Sequence, residues 1–226
     1  MYLYSDHQRC FNLSLIMRRS FDQQRDFAYT SVMRKRDDKK YEQIIDSVTE
    51  LILQVGLSDI TIAKIAATAQ LYPSTIYIYF DNKEDLLRQV FQRQRQNLQH
   101  YLSAKLALAA TPTQQVQIYM RALYQFAQDQ PRSLATLQQF LNSPLLTQLA
   151  IPAVEQNLIF PEFQTVIEQG QAAGDFRVLP SGLAILLINS DVLQYAQAIQ
   201  QQLVDPVMQP LEQLLNLTAT WLTDPK

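Results

Sequence analysis

Cysteine is nearly missing from this chain. Among 226 residues there is one, Cys10, so no internal disulfide can form and nothing points to an oxidising compartment. Histidine is almost as rare: His7 and His100 are the only two, so no Cys/His zinc site can be assembled. Glycine occurs four times, at Gly56, Gly170, Gly174 and Gly182. Strands joined by tight hairpins usually need more, so the scarcity favours helices. No run of about 18 unbroken apolar residues is present, and no transmembrane helix is expected. The short apolar run FNLSLIM, residues 11–17, precedes Arg18-Arg19 but lacks a small-residue cleavage pattern. The default is a cytoplasmic protein.

What is present is apolar residue at 47% against 18% charged, enough for a sizeable core. The net charge of -2 is unevenly spread. Residues 34–95 carry ten Lys/Arg and nine Asp/Glu, whereas residues 96–226 carry five and nine. Positive charge gathers in Arg34-Lys35-Arg36 and Lys39-Lys40. One nucleic-acid end on an otherwise acidic chain fits that asymmetry; a solvated charge run is the plainer alternative.

Residues 1–33 show no sustained period, apart from a candidate local helix at 11–17. They read as a peripheral extension, and Met33, just before the basic cluster, as a candidate working start. From Asp37 the pattern becomes helical: Tyr41, Ile44, Ile45, Val48, Leu51, Ile52 and Val55 recur on one face, and Gly56 stands where a helix ends. Ile62, Ile65, Ala66 and Ala69 form a narrow stripe that lets a neighbouring helix approach. A third helix begins at Pro73, because proline suits the first helical position, and ends near Phe80. Asp81 reads as a cap with Glu84 three residues on. A long helix then runs toward Ala110, followed by 113–129, 131–142, 154–172, 181–202 and 206–223, with a turn at Gly174-Asp175-Phe176-Arg177. The fold class is all-α: a helix-turn-helix at 34–81, then a helical region at 82–226.

The spacing of the second and third helices gives the functional reading. The third can lie in a DNA major groove. Tyr72, Pro73, Ser74 and Thr75 at its start would face base edges, since hydroxyls donate or accept there and a proline ring suits a thymine methyl. Thr61 opens the preceding helix, where a hydroxyl and free backbone amides suit a phosphate. Tyr77, Tyr79 and Lys83 offer further phosphate contacts. Ile76 and Phe80 read as the buried side.

The stretch TIAKIAATAQLYPSTIYIYFDNKE, residues 61–84, resembles the TetR family of bacterial transcription regulators. Thr61, Ile65, Ala66, Ala69, Thr75, Tyr77, Tyr79, Phe80, Lys83 and Glu84 carry the match. Two residues depart from it. Gln70 stands where the family usually has glycine, and Tyr72 where a small capping Ser or Thr is usual. The resemblance implies a DNA-binding regulator, usually a repressor released from its operator by a small molecule, acting as a homodimer and needing no cofactor or metal. A regulator answering to a protein partner is the alternative. An all-helical enzyme is a remote one, since no catalytic triad, phosphate loop or metal cluster is legible.

Two further sites are expected. Tyr101, Tyr119, Tyr124, Phe126, Phe140, Phe160 and Phe163, with Met120, supply an apolar lining for an effector pocket, and Glu155 or Glu162 would favour a cationic ligand if it faced inward. Leu183, Leu186, Leu187 and Val192, with Leu211, Leu214, Leu215 and Leu217, are too many apolar residues for two terminal helices to hide in one chain. They form the expected dimer interface.

Overall fold

The computed structural model describes residues 38–106 and 111–223. The candidate helix at 11–17, the start at Met33 and the Arg34-Lys35-Arg36 cluster lie outside them. Every regular element among the described residues is helical. Two compact units are distinguished, residues 1–46 and 47–226. The first contributes 38–46, the opening turns of helix α1 (38–55), with Lys39 and Lys40 exposed and Ile44 and Ile45 buried.

The second unit continues α1 to Gly56, which takes φ 75° as its ending residue. Helices α2 (Ile62–Thr68) and α3 (Pro73–Tyr79) follow, then the 24-residue α4 (Lys83–Leu106). Next come α5 (Pro112–Asp129), α6 (Pro131–Leu141), the single turns α7 (Leu145–Gln148) and α8 (Ala153–Gln156), and α9 (Pro161–Ala173). The chain closes with α10 (Ser181–Gln200) and α11 (Leu211–Leu222).

Proline writes the starts. Pro73, Pro112, Pro131 and Pro161 are the first residues of their helices, and Pro144, Pro152, Pro180 and Pro210 stand immediately before theirs. A missing N–H is harmless there, because the first four amides of a helix have no partner inside it. Side chains complete the starts of α2, α4 and α5. Thr111 and Gln114 form a reciprocal box at α5. At α4 the cap lies one residue later than the sequence suggests. Asn82 Oδ1 accepts from the amide of Asp85 at 2.7 Å, and the Asp85 carboxylate reaches back to the amide of Asp81 at 3.2 Å.

The stops are less usual. Helices α2, α7, α8 and α10 each end in a left-handed residue that is not glycine: Gln70 (φ 54°), Ala150 (54°), Leu158 (52°) and Gln202 (59°). Around each, two backbone bonds close the same motif; at α2, Leu71 donates to Ala66 (2.9 Å) and Gln70 to Ala67 (3.1 Å). An L-residue in this region costs about 1–2 kcal/mol. Gln70→Gly should therefore raise stability by about 0.5–1 kcal/mol, part of the relief being offset by glycine's greater freedom when unfolded. A urea midpoint that rises at unchanged slope is the expected result; a lower midpoint would contradict it.

Three boundaries differ from the sequence reading. The segment read as one helix at 154–172 is broken after Gln156, where Leu158 turns left-handed and Pro161 restarts the chain. Helix α7 was not expected at all. The last helix begins at Leu211 rather than 206. Residues 205–209 are held as turns by the Asp205 carboxylate, which accepts from Val207 N (2.8 Å), and the next helix starts only after Pro210.

The interior of the second unit is built on α5, which packs against α4, α9, α10 and α11. Tyr119 stacks on Phe163, with ring centres 3.5 Å apart, and donates its hydroxyl to Asn189 Oδ1 of α10 at 2.7 Å. Full burial raises the Tyr119 phenol well above its ordinary value, against the opposing Asn189 bond. A buried polar chain joins α1, α4 and α6: Gln94 Nε2 donates to Thr49 Oγ1 (3.2 Å) and Ser133 Oγ donates to Gln94 Oε1 (2.6 Å). Helix α4 also grips the irregular 142–160 segment. Arg88 donates to the carbonyl of Leu149 from Nε (3.3 Å) and Nη2 (3.2 Å), and Arg95 donates to that of Ile159 (3.2 Å). The Arg95 guanidinium lies 4.8 Å from the centre of the Phe160 ring.

Candidate nucleic-acid interface

Helices α2 and α3 pack together across the four-residue turn 69–72. Ile65, Ala66 and Ala69 are buried on one side, and Ile76 and Phe80 on the other. The small alanines keep the two axes close. That packing turns the rest of α3 outward. Tyr72 is 80% exposed, Tyr77 57% and Ile78 76%. Pro73 and Ser74 are exposed beside them, while Thr75 is half-buried and gives its amide to the carbonyl of Tyr72 at 2.9 Å. As its side chain suggests, Tyr72 caps α3 with no side-chain hydrogen bond.

Thr61 is the cap of α2. Its Oγ1 accepts from the amide of Lys64 at 3.3 Å, which leaves the hydroxyl hydrogen able to donate outward. Lys64 donates to the carbonyl of Asp59 at 2.9 Å, and its side chain is exposed. Lys83 is half-buried at the first position of α4. Tyr79 is half-buried, with its ring 6.5 Å from that of Phe80. Ile78 was missed by the sequence reading. Its signal was available: with Ser74 it makes an i, i+4 pair on the side opposite Ile76. A large apolar side chain standing in water at the centre of such a face suits a thymine methyl.

The seven aromatics expected around an effector are distributed otherwise. Tyr119, Phe126, Phe140, Phe160 and Phe163 are buried. Phe140 packs edge-on against Phe91 (5.6 Å), and Tyr101 against Phe126 (5.4 Å). Tyr101 gives its hydroxyl to Asp129, and Tyr124 lies beside Tyr195. An open cleft of about 320 Å³ does exist, but its walls are the ends of α6 and α8 and one stripe of α10, and none of the seven lines it. Glu155 and Glu162 do not line it either. Both act on Arg95, whose pKa burial lowers while the two carboxylates oppose the shift.

The expected interface leucines divide. Leu183, Leu186, Leu187 and Leu217 are exposed, at 46, 43, 41 and 66%, and Leu211 and Leu214 are half-buried. Val192 and Leu215, at 0 and 2%, belong instead to the protomer's own interior, because each falls on the inward side of its helix. Helix α10 is long and apolar enough to cross a membrane by length and composition alone. Asn189, Ser190 and Asp191 interrupt it midway, and Asn189 is bonded into the protein core, as expected of a core helix with one bare leucine face.

Two helices packed by small residues, with the second held outward behind a proline start, define a helix-turn-helix DNA-binding protein. Residues 44–90 match the family model described as bacterial regulatory proteins, tetR family. Over 83 residues the chain is 36% identical to the fatty acid metabolism regulator protein of Bacillus subtilis, a match covering 33% of this chain and 43% of that one. It is 26% identical over 181 residues to the transcriptional repressor DhaR of a Mycobacterium species, covering 78% of this chain and 88% of the relative. A solved TetR family regulator from Marinobacter aquaeolei superposes with a TM-score of 0.74 at 20% identity, over 85% of this chain and all of that one. Residues 44–90 thus match the DNA-binding region of the TetR family, and the chain is similar to transcription regulators of that kind over most of its length.

Proposed function

We propose that this chain is a homodimeric cytoplasmic repressor that occupies a DNA operator through residues 34–81 and is released when a small molecule binds within 82–226. The observation that carries the DNA reading is the outward face of α3, where Tyr72, Tyr77 and Ile78 are all more than half exposed. Tyr72, Pro73, Ser74, Thr75 and Ile78 are assigned to base edges, and Thr61, Tyr77, Tyr79 and Lys83 to phosphates. The exposed leucines of α10 and α11 support pairing with a second copy, which would set two recognition helices about 34–36 Å apart on the DNA. The relatives are regulators by name, which favours this reading over an enzyme.

The test is a titration of DNA from the region upstream of the gene at several salt concentrations. Lys83→Ala should weaken binding to every sequence and lower the salt slope by about one per protomer. Tyr77→Phe should weaken all sequences alike without changing the slope, since it removes a hydroxyl and no charge. Ser74→Ala should change the ranking of sequences instead. Wild-type protein that shows no salt-dependent binding would sink the reading. So would a Lys83→Ala effect confined to one sequence.

A further inference from the structure

The cleft between α6, α8 and α10 has a composition that narrows what it can hold. Seven of its twelve lining residues carry carboxamides, four are leucines, one is serine, and none is charged. Most charged ligands would lose water there and gain no counter-ion. Gln138, Asn142, Gln194 and Gln197 make no side-chain hydrogen bond among the described residues, so their donors and acceptors are open to an occupant. Asn189 forms the floor. It is 5% exposed, and its Oδ1 is taken by Tyr119. Its Nδ2 makes one long bond of 3.4 Å to the carbonyl of Leu158, leaving the second N–H unspent.

The wall opposite is under strain. Leu158 lines the cleft in the left-handed region (φ 52°), where a branched residue is rarely found. The next residue, Ile159, is the one whose carbonyl Arg95 of α4 holds. Arg95 Nε is buried without a partner, so this grip is itself incomplete. An occupant that pulled Asn189 away from Leu158 would therefore act on a segment that α4 is already fastened to, and α4 begins directly after the recognition unit.

The geometry points to this cleft as the binding site of an uncharged small molecule with an apolar body and amide- or carbonyl-type hydrogen-bonding groups, read out through Leu158–Phe160 and Arg95. The inference deepens the effector reading above and rests on it for the operator step alone. It also replaces the aromatic lining and the cationic ligand suggested by the sequence.

Three probes with one alkyl chain separate the possibilities: octanamide, octanoate and octylammonium. Each is titrated into the full chain without DNA and followed by ligand-observed NMR. Octanamide should bind at least about tenfold more tightly than either charged probe, and Leu193→Trp, which fills the cleft from its half-exposed rim, should weaken it by about tenfold or more. Asn189→Leu should do the same, but it also strands the Tyr119 hydroxyl, so the rim variant decides. Octanoate or octylammonium binding as tightly as octanamide would overturn the proposal, as would undetectable octanamide binding or indifference to Leu193→Trp. Adding octanamide to the protein–operator complex separates the two readings. Cleft binding without release from DNA leaves the site standing and removes its role as the effector site.

Discussion

Leu187→Glu should convert the protein into a folded monomer that no longer holds its operator. In a two-fold interface each leucine counts twice, and burying one completely is worth about 1.5–3 kcal/mol. Leu183, Leu186 and Leu187 fall at i, i+3 and i+4 on α10, each 41–46% exposed, with Leu217 of α11 at 66%. A carboxylate at Leu187 must be stripped of water when two copies meet, which adds several kcal/mol to the lost apolar contact. Within one protomer the site is open, so the monomer should stay folded, its melting temperature lowered only by the loss of association and no longer dependent on protein concentration. Without its partner each recognition helix binds a half-site alone, and affinity for the full operator should fall by about a hundredfold or more, roughly 2.8 kcal/mol. Light scattering and the DNA titration give the two readouts. Val192→Ala is the control: it lies inside the protomer at 0% exposure and should cost about 1 kcal/mol or more of stability while leaving the association state alone. A dimer that survives Leu187→Glu with full DNA affinity would rule out this face.

Gly170→Ala should destabilise the protein by about 2–4 kcal/mol, although alanine is ordinarily the better helix former by about 1 kcal/mol. Gly170 lies in α9, and a Cβ there would stand 2.1 Å from Phe176 Cδ2 and 2.2 Å from Cε2. The ring cannot yield easily. Phe176 is 3% exposed, and its amide is tied to the Gly170 carbonyl at 3.1 Å. Arg177 donates to the carbonyl of Leu222 at 2.7 Å, which fastens the following residue to α11. Evicting the ring forfeits much of the about 3–5 kcal/mol that a buried phenylalanine contributes. Urea unfolding of Gly170→Ala, Phe176→Ala and the double variant resolves the cause. If the clash is responsible, the double variant loses less than the sum of the singles. A neutral or stabilising Gly170→Ala would show that the ring has somewhere to go.

How much of this was legible in the sequence depends on the residue type that carried the signal. Proline marked the starts at Pro73 and Pro131, because its missing donor and fixed φ suit the first turn of a helix, but the reading ran through Pro161, which starts α9, and began the last helix at Pro206, which starts none. The recognition unit was legible for a related reason: Ala66, Ala69 and Pro73 each constrain backbone geometry directly. Gln70 could be foreseen as strained because it displaces an expected glycine. Ala150, Leu158 and Gln202 could not, since nothing local in an alanine, a leucine or a glutamine announces a left-handed turn. That is why α7 went unseen and the 154–172 segment was read as continuous. The aromatics misled by bulk: size says that a ring is buried, not whether it borders space or another ring. The cleft was invisible because its amides come from three helices far apart in the chain, and glutamines read singly look like surface. The leucine faces were half legible. Composition alone gathers Leu183, Leu187 and Val192 into one group, whereas the helical period sets Val192, nine residues beyond Leu183, on the opposite side of α10, where it is buried.

The chain has a single tryptophan, Trp221, near the end of α11, with its indole close to the Asp191 carboxyl of α10. Burial raises the Asp191 pKa above its ordinary value, and the indole N–H opposes the rise. Optical spectroscopy of this protein therefore has one address. The indole fluorescence reports on a single carboxyl and on one helix pair, the pair whose outer leucines are bare, with no second tryptophan to average over. A second copy docking on α10 and α11, or a shift of α10 as its inner stripe closes on a ligand, would be seen through that one emitter without a label.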